Sequence, residues 1–380
     1  MKIGVNTLFM IPGEVGGTET YLLHTLLAMV TVSPETGMVL FTNRENDRVL
    51  RERLAECEKV EFIRLDFSAA NRYARIVREQ LELPGKVRLA GVDVLWSPGY
   101  TMPYRTCCPQ VVTIHDMQYK NHPDDFTILV LIVTGCLVEM AARRSRRIIA
   151  VSQFTKKEIV KYTSVSGKKI DVIHEAVDPA FGLGPDAGTS HRLAVALTGL
   201  DKPYILTVAN SYPHKNLDSL AKAFCLLERR IPHILIIVGK PRLGEKKLED
   251  AITGLGDSSR VVRLSGLAGE DLISLYQGAD LFVFPTLYEG FGLPILEAMA
   301  ARVPVVTSRF ASVPEVGGNN AIYCDVNNSS DLSCTIEEVL ARSPRDRDVH
   351  LTAAQSWAAR FSWKKTARQT LASLRKASGG

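Results

Sequence analysis

The stretch Leu281–Ala300, LFVFPTLYEGFGLPILEAMA, decides how the chain is read. Its first four residues are continuously apolar, as a parallel strand covered on both faces requires. Pro285 and Thr286 break the strand, Glu289 follows in the loop, and Gly290-Phe291-Gly292 leads into Pro294. Proline is favoured at the first helical position, so the sequence predicts a helix opening near Pro294. The amides of Phe291, Gly292 and Leu293 would then point out of its amino terminus, where the helix's partial positive charge suits a phosphate. Glu297 lies one turn in, within reach of a vicinal diol, and Glu289 stands in the loop before it. Two carboxylates beside a phosphate repel it unless they bind hydroxyls, and sugars are the obvious hydroxyl donors. The plain alternative is a solvated glutamate followed by an ordinary helix start.

The strand–turn–helix pattern recurs outward in both directions. Candidate strands are Lys2–Thr7, Val39–Thr42, Val60–Ile63, Val92–Trp96, Val111–Ile114, Ile148–Val151, Lys169–Ile173, Tyr204–Val208, Ile234–Val238, Val261–Leu264, Leu281–Phe284 and Val303–Thr307. Helical patterns such as Leu217–Arg229 and Asp271–Gln277 fall between them. This alternation predicts an α/β class built from doubly wound parallel sheets. A Gly- and Pro-rich break at Phe181–Thr189, FGLGPDAGT, reads as a linker. Two domains of similar design are expected, 1–182 and 190–358, with a tail helix over 360–380 packing back on the first. Ligands of open α/β sheets sit beyond the carboxyl ends of the strands, so a cleft faced by two such edges is the expected site.

Three further elements lie at predicted strand ends. Lys215, in Asn210-Ser-Tyr-Pro-His-Lys-Asn216 after Tyr204–Val208, could neutralise a diphosphate, although many such lysines are surface charges. Gly16 and Gly17, in Gly13-Glu-Val-Gly-Gly-Thr18 after Lys2–Thr7, could offer backbone amides to the same diphosphate from the other domain. The loop is not GxGxxG, and turn glycines need no ligand. His115, before Asp116 and after Val111–Ile114, could touch sugar hydroxyls or the reacting centre, or could be structural.

Composition narrows the class. The chain has 380 residues, 46% hydrophobic, with a formal net charge of +5. That supports a large core and an anionic ligand or surface, and falls short of a nucleic-acid-coating protein. Seven scattered cysteines without CxxC or zinc-like spacing predict reduced thiols in a cytoplasmic protein. The start, MKIGVNTLFMIPGEVGG, has no signal-peptide pattern, and no run is long enough to span a bilayer. Phe126–Val138, FTILVLIVTGCLV, is nonetheless nearly unbroken in its apolar character. From Arg143 to Lys169 nine basic residues then face one acid, Glu158, a net of +8. The segment 126–169 reads either as a core helix with a solvated face beyond it, or as a patch that lies on an anionic membrane.

Together these residues resemble glycosyltransferase family 4, the retaining family with the GT-B fold of two facing Rossmann-like domains. The resemblance covers nearly the whole chain. Its most specific part is the E-x7-E motif, matched by Glu289 and Glu297, and LSGLAGEDLISLYQGADLFVFPT, VPVVTSRFASVPEVGG, VSQFTKKEI and VIHEAVDPAF add to it. It implies that Glu297 binds ribose hydroxyls and that Glu289 and the amides of Phe291, Gly292 and Leu293 hold the donor sugar. It also implies that Lys215 binds the diphosphate, Gly16–Gly17 form the amino-terminal glycine loop, and His115 lies near the donor sugar. The expected reaction moves a hexosyl group, of mannose or glucose type, from a UDP- or GDP-sugar to a glycan or lipid-linked acceptor, as in cell-surface polysaccharide synthesis. No metal or other cofactor is expected, because Lys215 and the helix start would do a cation's work. A nucleotide-sugar epimerase, a phosphorylase and a catalytically silent nucleotide-sugar-binding subunit are the rivals.

One departure stands out. Where many relatives carry a basic residue shortly before the lysine, this chain has Asn210, Ser211 and His214, so the second positive charge either comes from elsewhere, with Arg302 and Lys240 as weak candidates, or is missing. Base contacts are expected from backbone near Gly239 and Ser265–Leu267. Asp346-Arg-Asp348, formally a metal-binding DxD, falls in what reads as a charged loop before the tail helix.

Overall fold

The computed structural model describes residues 1–183, 187–267 and 269–379. The chain forms two compact units, Met1–Ala176 with Ser362–Gly380, and Val177–Phe361.

In the first unit seven strands, β1 (Lys2–Asn6), β2 (Gly37–Thr42), β3 (Val60–Arg64), β4 (Val94–Ser97), β5 (Gln110–Ile114), β6 (Arg147–Ala150) and β7 (Ile170–Val172), lie in the order β3-β2-β1-β4-β5-β6-β7. Every pairing is parallel. The second unit repeats the design with β8 (Tyr204–Val208), β9 (Ile234–Val238), β10 (Val261–Leu264), β11 (Leu281–Phe284), β12 (Val305–Thr307) and β13 (Ile322–Tyr323), ordered β10-β9-β8-β11-β12-β13 and again all parallel. The central strands are the continuous apolar runs of the sequence: ILIIV of β9 and LFVF of β11 are buried at every position. Helices on both faces remove that surface from water, at about 25 cal/mol per Å².

The chain order reverses between β1 and β4 in one sheet and between β8 and β11 in the other. Beyond the carboxyl ends of such a pair the flanking loops diverge and leave a crevice, the usual ligand position in doubly wound sheets.

Four details differ from the sequence reading or add to it. The division falls at 176/177, and the stretch read as a linker opens with Phe181 buried edge-on against Tyr276, at 5.3 Å between ring centres. A helix begins at Ala187, while residues 184–186 of that stretch, like Ala268 and Gly380, lie outside the described residues. The tail is a helix Pro344–Ala358 of the second unit and a helix Trp363–Ser378 of the first. The latter stacks Trp363 on His24 at 5.2 Å and donates from Thr366 and Ser373 to the His174 carbonyl and Asp171. Asp346 and Asp348 are in the first turn and a half of a helix, not in a loop. Ser343 caps it by accepting from the Asp346 amide, Pro344 occupies its first turn, and Asp348 pairs with Arg302 at 2.6 Å.

The apolar run forms a helix, Ile128–Arg144, of which only part is core. Val138, Ala141 and Ala142 are buried against β5 and β6, whereas Ile128, Leu129 and Ile132 are 76%, 55% and 59% exposed. Among the described residues no helix is long and apolar enough to cross a membrane.

Candidate functional site

Lys215 and Glu289 occupy the two loops flanking the reversal in the second sheet, and the structure brings them together. Lys215 Nζ lies 2.5 Å from Glu289 Oε1, with side chains 18% and 13% exposed. The ammonium also sits over the ring of Phe284, the last residue of β11, at 5.6 Å. Desolvated partly but not wholly, the pair is strong enough to be ordered and open enough to be exchanged.

The backbone around it is fixed by hydroxyls. The carbonyl of His214 accepts from the Leu287 amide at 2.7 Å and from Thr286 Oγ1 at 3.3 Å, stitching the lysine loop to the glutamate loop. Ser308 donates to the Thr286 carbonyl at 2.6 Å, and Ser312 donates to those of Glu289 and Phe291 at 2.9 and 2.8 Å. Asn216, in the left-handed region at φ 56°, turns the lysine loop into the helix Leu217–Leu227.

The motif helix runs Leu293–Ala300 with Pro294 in its first turn, one residue earlier than Pro294 suggests. Gly292 caps it at φ 106°, a conformation that favours glycine, and a β-carbon there would sit 3.4 Å from Ile295. The first amides of any helix lack partners within it, so the Phe291–Leu293 segment stands at a locally positive end. Glu297, a turn further, has a partner on another helix. Tyr276 Oη donates to Glu297 Oε2 at 2.8 Å. Burial, with the glutamate's charge added, holds the Tyr276 phenol well above its ordinary pKa, so it remains a donor. This tyrosine, on the helix Gly269–Gln277, carried no signal in the sequence.

The departure before the lysine is structural. Asn210 accepts from the Lys240 amide at 2.8 Å, tying the loops after β8 and β9, and Ser211 accepts from the Arg242 amide at 2.7 Å. Arg302, a weak candidate for the second charge, is turned to Asp348, Thr352 and Gln355. The Gly239 amide donates to the Leu264 carbonyl at 2.9 Å, so that amide is taken within the sheet edge. Among the described residues no three His, Cys, Asp or Glu side chains gather as a metal site, and all seven cysteines are free thiols.

In the first unit, Gly16 caps the helix Gly17–Val32 at φ 56°, ψ −133°, and a β-carbon there would meet nothing within 4 Å. Glu19 in the first turn accepts from the Gly13 amide at 2.7 Å, so one carboxylate already serves this helix start. His115 is 6% exposed, with Nε2 2.8 Å from the Pro98 carbonyl and Nδ1 3.0 Å from Glu175. A carbonyl only accepts, so Nε2 carries a proton, and the Glu175 contact needs another on the ring or the carboxyl. Tyr21 and Tyr100 flank the ring at 4.9 and 5.3 Å. The expectation of a sugar contact thus meets a histidine whose two nitrogens are engaged within its own unit.

Comparison with known proteins follows the same lines. The model described as Glycosyltransferase Family 4 matches residues 15–181, and that described as Glycosyl transferases group 1 matches 194–355. The serotype-specific mannosyltransferase WbdA of Escherichia coli is 32% identical over 229 residues, 59% of this chain, which spans only 28% of that protein's length. The O-antigen chain mannosyltransferase B of Escherichia coli is 30% identical over 284 residues, covering 72% of each chain. The crystal structure of Anabaena Alr3699/HepE in complex with UDP and glucose superposes with a TM-score of 0.76 at 20% identity, covering 99% of this chain and 100% of that one. Two doubly wound parallel sheets, the paired glutamates of an E-x7-E motif and these matches along both halves have one joint meaning: the fold is GT-B, and the chain belongs to the GT4-type glycosyltransferases.

Proposed function

We propose that the chain transfers a hexosyl group, mannosyl or glucosyl, from a UDP- or GDP-sugar to a glycan or lipid-linked acceptor in cell-surface polysaccharide synthesis. The Lys215–Glu289 pair at the second sheet's reversal carries this reading. An arriving diphosphate offers the ammonium a denser negative charge than one carboxylate does. Lys215 then moves to the phosphate oxygens, and the released Glu289 accepts from hydroxyls of the donor sugar. The start of the 293–300 helix takes part of the phosphate charge, with Gly292 allowing close approach. Glu297, oriented by Tyr276, accepts from the ribose hydroxyls. Gly16 and Gly17 keep their assignment to phosphate oxygens at the start of the 17–32 helix.

The bond from the anomeric carbon to the phosphate oxygen breaks as the acceptor oxygen bonds that carbon on the same face. A phosphate oxygen takes the acceptor's proton, the nucleoside diphosphate departs, and configuration is retained. Lys215 and the helix start stabilise the leaving charge, the work a divalent cation does elsewhere, so no metal is assigned. Relatives named as mannosyltransferases and a neighbour crystallised with UDP and glucose support the choice of sugars. Free thiols suit the cytoplasm. The exposed Ile128, Leu129 and Ile132, with the basic run to Lys169, suit peripheral contact with an anionic membrane.

The test is incubation with GDP-mannose or UDP-glucose and a panel of lipid-linked acceptors, with and without EDTA. A glycosylated product that forms only with acceptor, keeps the donor's anomeric configuration and survives EDTA is expected. Donor conversion without acceptor would mean an epimerase, and inversion or EDTA sensitivity would overturn the mechanism.

A further inference from the structure

The chain enters the second unit at Val177 and leaves it at Phe361. Each passage carries a phenylalanine, and each phenylalanine packs behind a different part of the candidate site. Just inside the entry, Asp178 caps the short helix Pro179–Gly182 by accepting from the Ala180 amide at 2.9 Å, and Phe181 is 7% exposed. Its ring stands nearly perpendicular to that of Tyr276, at 80°, and Tyr276 is the residue that donates to Glu297. Gln277, next on the same helix, donates from Nε2 to the Phe181 carbonyl at 3.1 Å. Ring and backbone of Phe181 therefore hold two consecutive residues of the helix Gly269–Gln277. Tyr276 is wholly buried, with Phe282 also against it at 5.2 Å.

At the exit, Phe361 stands edge-on to Phe291 at 6.0 Å and to Trp357 at 5.9 Å between ring centres. Both neighbours are fixed in turn. Trp357 donates from Nε1 to the Val316 carbonyl at 2.7 Å, and the Phe291 carbonyl accepts from Ser312 at 2.8 Å. Phe291 is 3% exposed and begins the segment that leads into the 293–300 helix. Edge-to-face rings prefer a definite mutual angle, so each pair fixes an orientation as well as a distance.

We propose that Phe181 and Phe361 are positioning residues for the nucleotide donor: Phe181 sets the ribose-binding Glu297 through Tyr276, and Phe361 sets the phosphate-binding backbone through Phe291. Each acts through its neighbour rather than on the donor. A carboxylate or an amide contributes fully only when held close to its bound geometry, and small displacements are costly. The proposal rests on the glycosyltransfer reading and deepens it, because it puts the supports of the donor site at the two passages of the chain. The supports run through different residues, so the ribose and diphosphate contacts respond separately.

The full chain is titrated calorimetrically with UDP and GDP. The nucleotide that binds is compared with its 2′,3′-dideoxy analogue, which lacks the ribose hydroxyls, and with its nucleoside monophosphate. Wild type holds the dideoxy analogue about tenfold or more less tightly, as lost hydrogen bonds to a charged group imply. Phe181→Leu weakens the diphosphate about twofold to tenfold, the worth of one edge-to-face pair, and leaves the dideoxy analogue unchanged. Phe361→Leu weakens the diphosphate and its dideoxy analogue by one common factor of that size, and the monophosphate less. Phe181→Met and Phe361→Met give the same patterns, and replace a leucine variant whose circular dichroism shows it unfolded. Variants that match the wild type on all three ligands, or lose all three equally, overturn the proposal, as does a wild type that does not distinguish the dideoxy analogue. A wild type that binds neither UDP nor GDP fails the donor reading itself, whereas nucleotide binding unchanged in the variants fails only the positioning.

Discussion

His115 follows β5 and Glu289 follows β11, at the carboxyl edges of two sheets built alike, yet the edges treat their polar groups in opposite ways. The first edge turns them inward. His115 bonds Pro98 and Glu175, Asp116 accepts from Tyr100 at 2.7 Å, and Glu79 is tied to Asn6 and Thr101. The second edge fixes its backbone with Thr286, Ser308 and Ser312 and leaves an ion pair within reach of solvent. Groups that satisfy one another hold a loop; groups held by the backbone around them can exchange partners. By that criterion the proposed reacting charge falls at the second edge and the rigid platform at the first.

The contrast gives a graded set of predictions. Lys215→Ala lowers turnover roughly 10²–10³-fold, as loss of one electrostatic donor to a developing charge does, while the melting temperature changes little. Near-wild-type turnover in the folded variant would remove the lysine from the chemistry. His115→Ala loses about 1–3 kcal/mol in urea unfolding, because the Pro98 carbonyl loses its donor and Glu175 loses one buried contact. If turnover falls steeply instead while stability holds, the first edge carries a reacting group and the contrast fails. Tyr276→Phe removes the hydrogen bond that Glu297 accepts, and weakens nucleotide affinity by the value of one hydrogen bond, about 0.5–1.5 kcal/mol by calorimetry. Asp348→Asn breaks a pair whose members are 38% and 70% exposed, so stability shifts within about 0.5 kcal/mol and turnover stays unchanged. A large loss of activity there would revive a metal role for the DxD sequence.

Much of the architecture was legible because parallel strands buried on both faces must be continuously apolar. The twelve expected strands all form, four with the expected bounds and eight shifted by a residue or two at their ends. The strand β13, Ile322–Tyr323, is too short to show any period. The start of the 293–300 helix was readable from Gly292 and Pro294, which act locally. The Ser343-Pro344 start of the next-to-last helix has the same local signal, and the charged residues after it obscured it. The Lys215–Glu289 contact joins residues 74 apart and depends on strand order, which periodicity does not encode. Tyr276 was unreadable for a related reason. It gains its meaning from what surrounds it in space, the Glu297 carboxylate that it donates to.

The central claim is that the second sheet's reversal seats a nucleoside diphosphate on Lys215. Isothermal titration of UDP and GDP against wild type and Lys215→Ala, in EDTA, tests it most directly. At least one nucleotide should bind the wild type and lose about tenfold or more in affinity in the variant, in keeping with loss of a charged hydrogen bond. Equal affinity for both proteins, or no binding of either nucleotide to the wild type, would contradict it.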